Sequence, residues 1–369
     1  MPETLMGSND VQLDHLEPGA AQRVLMTISC RDSDALPKVD DAGEVFERDG
    51  MLLQRMHNGV LIEEGCYYGP WMTEIIRGLK GHHEPQEEVV FHHVVERILA
   101  TDPDPTMIEL GSFWSYYGLW FLDRIPAGRV VAMEPDPAYL DVGRRNFALN
   151  GRSGLFVHGA VGPAPGEPME FRTESTGEVV TVPTHDLRSL MRASGLERVS
   201  LLMVDIQGAE TVLLERAVED LKAGRVRFLI VSTHHHSISG RALTHQAALI
   251  LLQSCGAHVI AEHSVGESYS GDGLIAVSFD GDADFSIEIS HARQKESLFG
   301  ELEYDLASVV QERDIAVARL NELETETARL EADRDRLARE YEAIRSTKLW
   351  RWSSVPRLAY GRLRRSIRR

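Results

Sequence analysis

The chain has 369 residues, 43% of them hydrophobic, and carries a formal net charge of −18. This length exceeds the usual size of one domain, so we expect one domain of catalytic size with appended segments. The charge is uneven, because residues 345–369 hold nine Lys and Arg residues and no Asp or Glu. An acidic body repels phosphate backbones, which argues against a nucleic acid as substrate or partner unless that basic tail recruits it.

The sequence shows no export signal. No early segment joins a basic start to a continuous apolar run, and no apolar run reaches 18 residues, which predicts a cytoplasmic protein. The three cysteines, Cys30, Cys66 and Cys255, lack the spacing of zinc ligands and of a disulfide framework. We therefore expect reduced thiols and no bound metal.

Residues 1–100 give short, mixed signals that predict an N-terminal α+β cap. The segment "QRVLMTISC" (22–30) is typical of a strand, "VFERDGMLLQRM" (45–56) of a hairpin, and "WMTEIIRGLKG" (71–81) of a short helix. The next segment starts "HHEPQEE" at His82, has Pro85 near the first helical position, and places an apolar stripe along one helical face. Its start either covers the mouth of a site as a lid or is simply an acid-rich, well-capped helix start.

From residue 106 to 279, strand patterns alternate with helical patterns. The strand segments read TMIEL, RVVAME, LFVHGAV, VSLLMVD, RFLIVST, HVIAEH and GLIAVSF, and an inserted hairpin is indicated by MEFRTESTGEVVTVPTHDL. Such alternation predicts a mostly parallel sheet with helices on both faces. Ligands of these sheets lie beyond the carboxyl ends of the strands. Those ends carry Glu109, Glu134, residues 158–160, Asp205 and residues 233–236.

The turn after the first of these strands lies in "MIELGSFWSYYGLWF" (107–121), which is aromatic where a nucleotide-binding loop would be rich in glycine. Its strand, its glycine turn at Gly111 and the following helix start suit a nucleotide-like ligand. The aromatic residues either pack helix against sheet or form a platform for a sugar; they are Trp114, Tyr116, Tyr117, Trp120 and Phe121. At the end of the second strand, Glu134 either binds both ribose hydroxyls of an adenosine or caps the next helix. Glu109 needs a cationic ligand group or an arginine if it is buried.

Four segments in order carry a family resemblance: "MIELGSFWSYYGLWF", "VVAMEPDPAYLDVGRRNFALNG", "VHGAVG" and "VSLLMVDIQGAETVLLERA". They resemble the FkbM family of S-adenosylmethionine-dependent methyltransferases over roughly residues 105–280, and "DIQGAE" (205–210) is the most specific match. The family's first loop usually reads Asp-x-Gly-Ala-Asn-x-Gly, whereas this chain keeps an acid and the first glycine but has Phe113 and Ser115 in the later positions. The resemblance implies S-adenosylmethionine as cofactor. The cofactor contacts that it implies are Glu109, Gly111, Ser112, Glu134, Ala160 and Asp205.

A methyltransferase acting on an alcohol benefits from a base that removes the hydroxyl proton. Asp205 ends the fourth strand, and His234 and His236 follow the fifth, so these three are the candidate catalytic residues. The histidine run could also be a polar loop without a role in catalysis. A metal held by Asp205 and a histidine is a lesser alternative, because the chain has no compact ligand motif.

Beyond the sheet domain, a seam recurs at alternating steps of three and four residues from Phe299 to Ile344. One register of this seam is apolar throughout, while Arg313, Thr327 and Arg334 interrupt the other. This heptad seam predicts a coiled coil over residues 296–345 and a homo-oligomer, with a parallel dimer as the leading arrangement. Residues 346–369 then interleave aromatic residues with arginines. That tail suits peripheral contact with an anionic membrane at its inner face or an acidic partner, or else it is a solvated basic end.

The sequence thus predicts an α/β fold with a Rossmann-like class I methyltransferase sheet at residues 101–285, preceded by the cap at 1–100 and followed by the long coiled-coil helix. The function implied is O-methylation of a sugar, a glycan or a related hydroxylated small molecule. One alternative is a catalytically degenerate methyltransferase-like scaffold in a surface-polysaccharide assembly complex. A Rossmann-like enzyme using NAD is weakened by the absence of Gly-x-Gly-x-x-Gly at residues 111–116.

Overall fold

The computed structural model describes residues 11–162, 164–241, 243–281, 285–292, 300–353 and 356–360, with side chains from 300 to 308 left out. The chain divides into two compact units at the boundary between Lys295 and Glu296. The first unit contains the cap elements and the sheet, and the second contains the C-terminal helices.

The cap elements form a short three-stranded antiparallel sheet with helices beside it. They are α1 (Pro18–Ile28), β1 (Val45–Arg48), β2 (Met51–Arg55), β3 (Leu61–Glu63) and α2 (Pro70–Gly78), with strand order β1-β2-β3. The predicted hairpin and the predicted short helix are confirmed. The strand prediction for residues 22–30 is wrong, because Pro18 begins a helix that buries Val24 and Thr27, one turn apart, on the same face.

The next helix, α3 (Pro85–Thr101), begins with Pro85 at its first turn as predicted. Its apolar stripe is buried at Val90, Val94 and Ile98, while Leu99 at the far end is 39% exposed. This helix leads directly into the first strand of the central sheet.

Seven strands form the central sheet. They are β4 (Thr106–Leu110), β5 (Arg129–Glu134), β6 (Leu155–His158), β10 (Val199–Val204), β11 (Val226–Thr233), β12 (His258–His263) and β13 (Gly273–Ser278). Their spatial order is β12-β13-β11-β10-β4-β5-β6. Among these strands β13 runs in the direction opposite to the other six. The chain starts at β4, moves outward to β6 and returns to β10 beside β4, which creates the switch point where ligands of such sheets bind.

Helices cover both faces of this sheet. They are α4 (Tyr116–Arg124), α5 (Pro137–Leu149), α6 (Leu187–Ala193), α7 (Glu210–Lys222), α8 (His236–Ser239) and α9 (Thr244–Ser254). Alternate strand residues such as Met107 and Ile108 enter two separate apolar cores, one with α3, α4 and α5 and the other with α6, α7 and α9. The predicted Rossmann-like architecture with helices on both faces is confirmed.

The inserted hairpin is also present, as β8 (Pro168–Arg172) and β9 (Val179–His185). It pairs with β7 (Ala160–Val161) in a small sheet of order β7-β9-β8. The segment LFVHGAV was predicted as one strand, but Gly159 separates β6 from β7, and β7 leaves the central sheet to pair with β9.

The second unit contains the helices α10 (Gly300–Ser346) and α11 (Lys348–Trp352). Along α10 the large apolar residues of the described seam are solvent-exposed: Val309, Leu320, Leu323, Leu330, Leu337, Tyr341 and Ile344. Residues 296–299 of the predicted coiled coil and 361–369 of the basic tail lie outside the described residues. In the part of the chain that is described, no helix combines the length and the apolar character needed to cross a membrane.

Candidate functional site

A cavity of about 520 Å³ lies at the carboxyl ends of the parallel strands of the central sheet. Its floor comes from the ends of β4, β5 and β10, and its sides come from the β8–β9 hairpin and from a cap segment containing Tyr67 and Tyr68. Every residue predicted to contact the cofactor lines this cavity, namely Glu109, Gly111, Ser112, Glu134, Ala160 and Asp205. The volume is typical of a pocket for a nucleotide-sized ligand.

Glu134 lies in the wall of the cavity at the end of β5. One carboxylate oxygen accepts a hydrogen bond from the amide of Phe113 at 3.1 Å, and the other accepts one from the amide of Asp136 at 2.9 Å. Asp136, rather than Glu134, is the N-cap of α5, since its side chain accepts the amide of Ala138. Burial raises the pKa of Glu134 to about 7. The two amides fix the carboxylate while leaving further lone pairs for a ligand.

Glu109 lies deeper in the cavity, at the end of β4 behind the start of α4. Burial raises its pKa to about 8, although the nearby amides of Gly118 and Tyr117 oppose the shift. Its Oε2 atom has no hydrogen-bond partner among the described residues, and neither has the buried hydroxyl of Ser112. These two unpartnered polar atoms mark a place where a polar ligand group would be bound.

The turn from β4 to α4 is tight because two loops approach each other. Gly111 has a φ of 75°, and a Cβ at this position would lie 1.6 Å from the carbonyl oxygen of Asp205. Glycine is therefore required by the contact between the two loops of the protein itself. Phe113 and Ser115 also adopt positive φ values, 40° and 57°. The Phe113 ring stacks on Tyr139 at 3.5 Å between centroids, so it forms part of the wall.

The aromatic residues of this turn divide between two roles. Trp114 and Tyr117 line the cavity. Tyr116, Trp120 and Phe121 do not line it and are buried in the apolar core, which confirms packing as the main role of this cluster.

The specific "DIQGAE" block reaches a histidine on the neighbouring strand. The Nδ1 atom of His234 lies 2.6 Å from Oε1 of Glu210, and its Nε2 atom lies 3.2 Å from Oδ1 of Asp205. The first pair is a hydrogen bond, whereas the second is within ion-pair distance but is not aligned as a hydrogen bond. Asp272 lies 3.7 Å from the same Nε2 atom.

The three carboxylates determine the charge of His234. Burial lowers the pKa of this imidazole, but Asp205, Glu210 and Asp272 outweigh burial and raise the pKa to about 11. His234 is therefore an imidazolium at neutral pH. A protonated histidine cannot accept a proton, so the geometry favours a positioning role for His234 over the role of base that was predicted.

The predicted catalytic residues do not all meet at the cavity. Asp205 lines it, His234 lies directly behind Asp205, and His236 begins the short helix α8, outside the set of lining residues. Thus the structure brings together the first two and leaves His236 apart.

Residues from the cap contribute side chains that the sequence did not single out as site residues. A second cavity of about 190 Å³ adjoins the first, and Tyr67, Tyr68, Glu84 and Asp205 line both. Glu84 accepts a hydrogen bond from the Tyr117 hydroxyl at 3.4 Å. Burial, Glu87 and Asp205 hold the pKa of Glu84 well above its usual range. The only sequence signal was the "HHEPQEE" segment, for which a position at the mouth of the site was one alternative.

One group of side chains behind the site has ligand atoms within 4.8 Å of one another, namely His57, His82 and Glu88. Glu88 accepts hydrogen bonds from His82 and from the amide of His83. The group therefore already has an internal role, which is to tie the start of α3 to the cap. All three cysteines are free, as predicted.

Comparisons with known proteins give one family match and several similar solved structures. A family model described as the methyltransferase FkbM domain matches residues 100–259. This match supports the resemblance seen in the sequence. No curated protein matches the chain.

Three of the solved structures to which the chain is similar are the following. A precorrin-6y C5,15-methyltransferase from Geobacter metallireducens is 15% identical, with 51% of this chain and 86% of that chain covered and a TM-score of 0.33. The N-terminal domain of human METTL16 in complex with SAH is 14% identical, with 53% and 70% covered and a TM-score of 0.35. WbdD is 11% identical, with 52% and 39% covered and a TM-score of 0.33.

Proposed function

We propose that the protein is an S-adenosylmethionine-dependent methyltransferase that methylates a hydroxyl group of a sugar, a glycan or a related small molecule. The observation that carries the proposal is the pair of adjoining cavities at the switch point of the sheet, with carboxylates at their junction. The larger cavity is of nucleotide size, and the smaller one provides room for an acceptor beside it.

The residues of the larger cavity fit S-adenosylmethionine. Glu134 would hold the two ribose hydroxyls, because its carboxylate is fixed by two amides and faces the cavity. The unpartnered Glu109 Oε2 and Ser112 hydroxyl would meet polar groups of the same ligand. Phe113 leaves the cavity open, since its ring packs along the wall on Tyr139. An open cavity supports an enzyme over a degenerate scaffold.

When bound, S-adenosylmethionine supplies a methyl group on a sulfonium, a reagent that an activated oxygen can attack in line. Asp205 lines both cavities and is the carboxylate placed to accept the proton of an acceptor hydroxyl. His234, held by Glu210, orients Asp205 and balances its charge. Burial, Glu87 and Asp205 raise the pKa of Glu84, which favours its neutral form, and a neutral carboxyl would donate a hydrogen bond to the acceptor.

The test is a product analysis with S-adenosylmethionine carrying a ¹³C-labelled methyl group. The protein is incubated with a pool of neutral sugars, amino sugars and nucleotide sugars, and the products are read by carbon NMR. We expect label on oxygen, and a loss of about a hundredfold or more in rate with Asp205→Asn. Label that appears only on nitrogen or sulfur would contradict O-methylation.

A further inference from the structure

The second cavity is lined largely by residues of the cap. One side of it is therefore formed by residues outside the family-matched range 100–259. Arg23 and Thr27 of α1, Trp71 and Met72 of α2, and a loop at residues 270–272 form its outer wall. Its inner wall contains Asp205 and His234. The cavity volume of about 190 Å³ limits an occupant to roughly one small ring.

The aromatic and basic groups of the outer wall are held in place. The guanidinium of Arg23 lies 5.0 Å from the centroid of the Trp71 ring and donates from Nη2 to the carbonyl of Ser270 at 2.7 Å. The Tyr68 ring stacks against Trp71 with 6.0 Å between centroids. Packed aromatic rings with a planar donor fork over one of them offer apolar surface and hydrogen-bond donors, which suit the apolar face and the hydroxyl edge of a sugar ring.

Carboxylates and cationic groups lie close together in this cavity. Asp205 and Asp272 lie 3.2 and 3.7 Å from the Nε2 atom of the His234 imidazolium, and Arg23 adds a positive charge on the opposite wall. A neutral occupant leaves these pairs undisturbed. An anionic occupant would be buried beside these carboxylates and Glu84, which costs free energy.

We propose that the second cavity is the acceptor subsite and that it binds one neutral sugar ring, with the ring face against Trp71 and Tyr68 and one hydroxyl directed at Asp205. This inference rests on the proposed methyltransferase function and specifies its substrate class. Arg23 and Glu84 would bind the remaining hydroxyls, since both line the cavity. The cap therefore determines acceptor specificity, while the sheet domain binds the cofactor.

The test uses saturation-transfer NMR on the full chain with saturating S-adenosylhomocysteine. The probes are glucose, mannose and rhamnose as neutral sugars, and glucosamine and glucuronate as charged ones. We expect saturation of at least one neutral sugar and weaker saturation of its charged counterparts. Trp71→Ala should weaken the response of the neutral sugar by about fivefold or more, because it removes the aromatic face.

A matched control is Phe46→Ala. Phe46 is another cap aromatic with an arginine 5.0 Å from its centroid, Arg55, but it lines neither cavity. It should leave the sugar response unchanged. Arg23→Gln is a second variant, for use if Trp71→Ala fails to fold. It keeps the aromatic wall and should also reduce the sugar response.

The two levels of the proposal fail in different ways. If wild-type protein does not bind S-adenosylhomocysteine, the proposed function itself is wrong. If it binds that ligand but saturates no neutral sugar, or prefers glucosamine or glucuronate, only the acceptor inference is overturned. Unchanged saturation in folded Trp71→Ala and Arg23→Gln would likewise show that the sugar does not bind in the second cavity.

Discussion

At the scale of single residues, the site is defined by carboxyl groups whose pKa values are raised by burial. Glu109 and Glu134 end neighbouring strands in one cavity, and both have raised pKa values for this reason. Asp205 adds to both shifts, since a third acid at the same edge disfavours further negative charge. A cationic ligand such as a sulfonium would relieve this repulsion.

Cofactor affinity should depend on pH through Glu134. Its carboxylate is the better acceptor for two ribose hydroxyls, and a pKa of about 7 leaves much of it protonated below neutrality. Binding of S-adenosylhomocysteine should therefore weaken by up to about tenfold from pH 8 to pH 6. Calorimetry across this range checks the slope. Glu134→Gln should bind more weakly and with a flatter profile; an equally steep profile in that variant would assign the dependence to another group.

Glu109 should destabilise the ligand-free fold at alkaline pH. Its folded pKa of about 8 exceeds the ordinary value of 4.5, so the folded state retains a proton that the unfolded state releases. Stability from this group is present below about pH 4.5 and is lost as pH rises toward 8. Glu109→Gln should therefore raise the free energy of unfolding at pH 8 by at least about 1 kcal/mol.

Urea denaturation at pH 5 and pH 8 measures this effect. The gain from Glu109→Gln should shrink at pH 5, where the wild-type side chain keeps its proton. A loss of stability at pH 8 would show that the charged carboxylate is required in the fold.

At the residue scale, the sequence could predict the position of side chains that end parallel strands. Glu109, Glu134 and Asp205 could be placed in one cavity because carboxyl ends of parallel strands share an edge. The charge of His234 could not be predicted, since Glu210 is 24 residues away and meets it only through packing of α7 beside β11. Glu84 was missed as a site residue for the same reason.

At the scale of elements, long apolar strands were the most predictable feature. Buried parallel strands are continuous apolar runs, and their alternation with helices leaves few possible arrangements. The strand prediction for residues 22–30 failed because a short segment with five apolar residues among nine fits a strand or a helix, and the helix starts upstream at Pro18. The break at Gly159 was not predicted, because β7 forms by pairing with β9, which is distant in sequence.

The long helix α10 exposes an apolar seam that a single copy does not cover. Leu320, Leu330 and Leu337 are each more than half exposed, although burying such side chains is worth about 1.5–3 kcal/mol each. We predict a homo-oligomer formed by residues 296–345 as a coiled coil.

Analytical ultracentrifugation can test this on the full chain and on a version that ends at residue 290. The shorter chain should sediment as a monomer and the full chain as an oligomer. Leu330→Asp should weaken the oligomer, and Glu331→Gln on the neighbouring position should not. Equal states of association for both lengths would contradict the coiled coil.

At the scale of the whole molecule, an acidic body and a basic tail occupy separate parts of the chain. Tail aromatics Trp352 and Tyr360 are 89% and 67% exposed, while the last nine residues are outside the described part. Each Lys or Arg near an anionic bilayer contributes about 1 kcal/mol. We therefore predict reversible, salt-sensitive binding of the full chain to acidic vesicles.

Co-sedimentation with vesicles that contain an acidic phospholipid tests this prediction. Binding should fall as salt rises and should vanish when residues 346–369 are removed, whereas neutral vesicles should give little binding at any salt. Full-length protein that stays in the supernatant with acidic vesicles at low salt would assign the tail to another partner.

The central claim is that the large cavity binds S-adenosylmethionine through Glu134, and calorimetric titration of the full chain tests it most directly. S-adenosylmethionine and S-adenosylhomocysteine should bind, NAD should not, and Glu134→Ala should weaken binding by more than about tenfold, because a lost charge-assisted hydrogen-bond pair costs more than about 1.4 kcal/mol. The control Glu178→Ala, at an exposed position in the β8–β9 turn, should bind like wild type. Binding of NAD in place of the sulfonium ligand, or unchanged affinity in folded Glu134→Ala, would contradict the account.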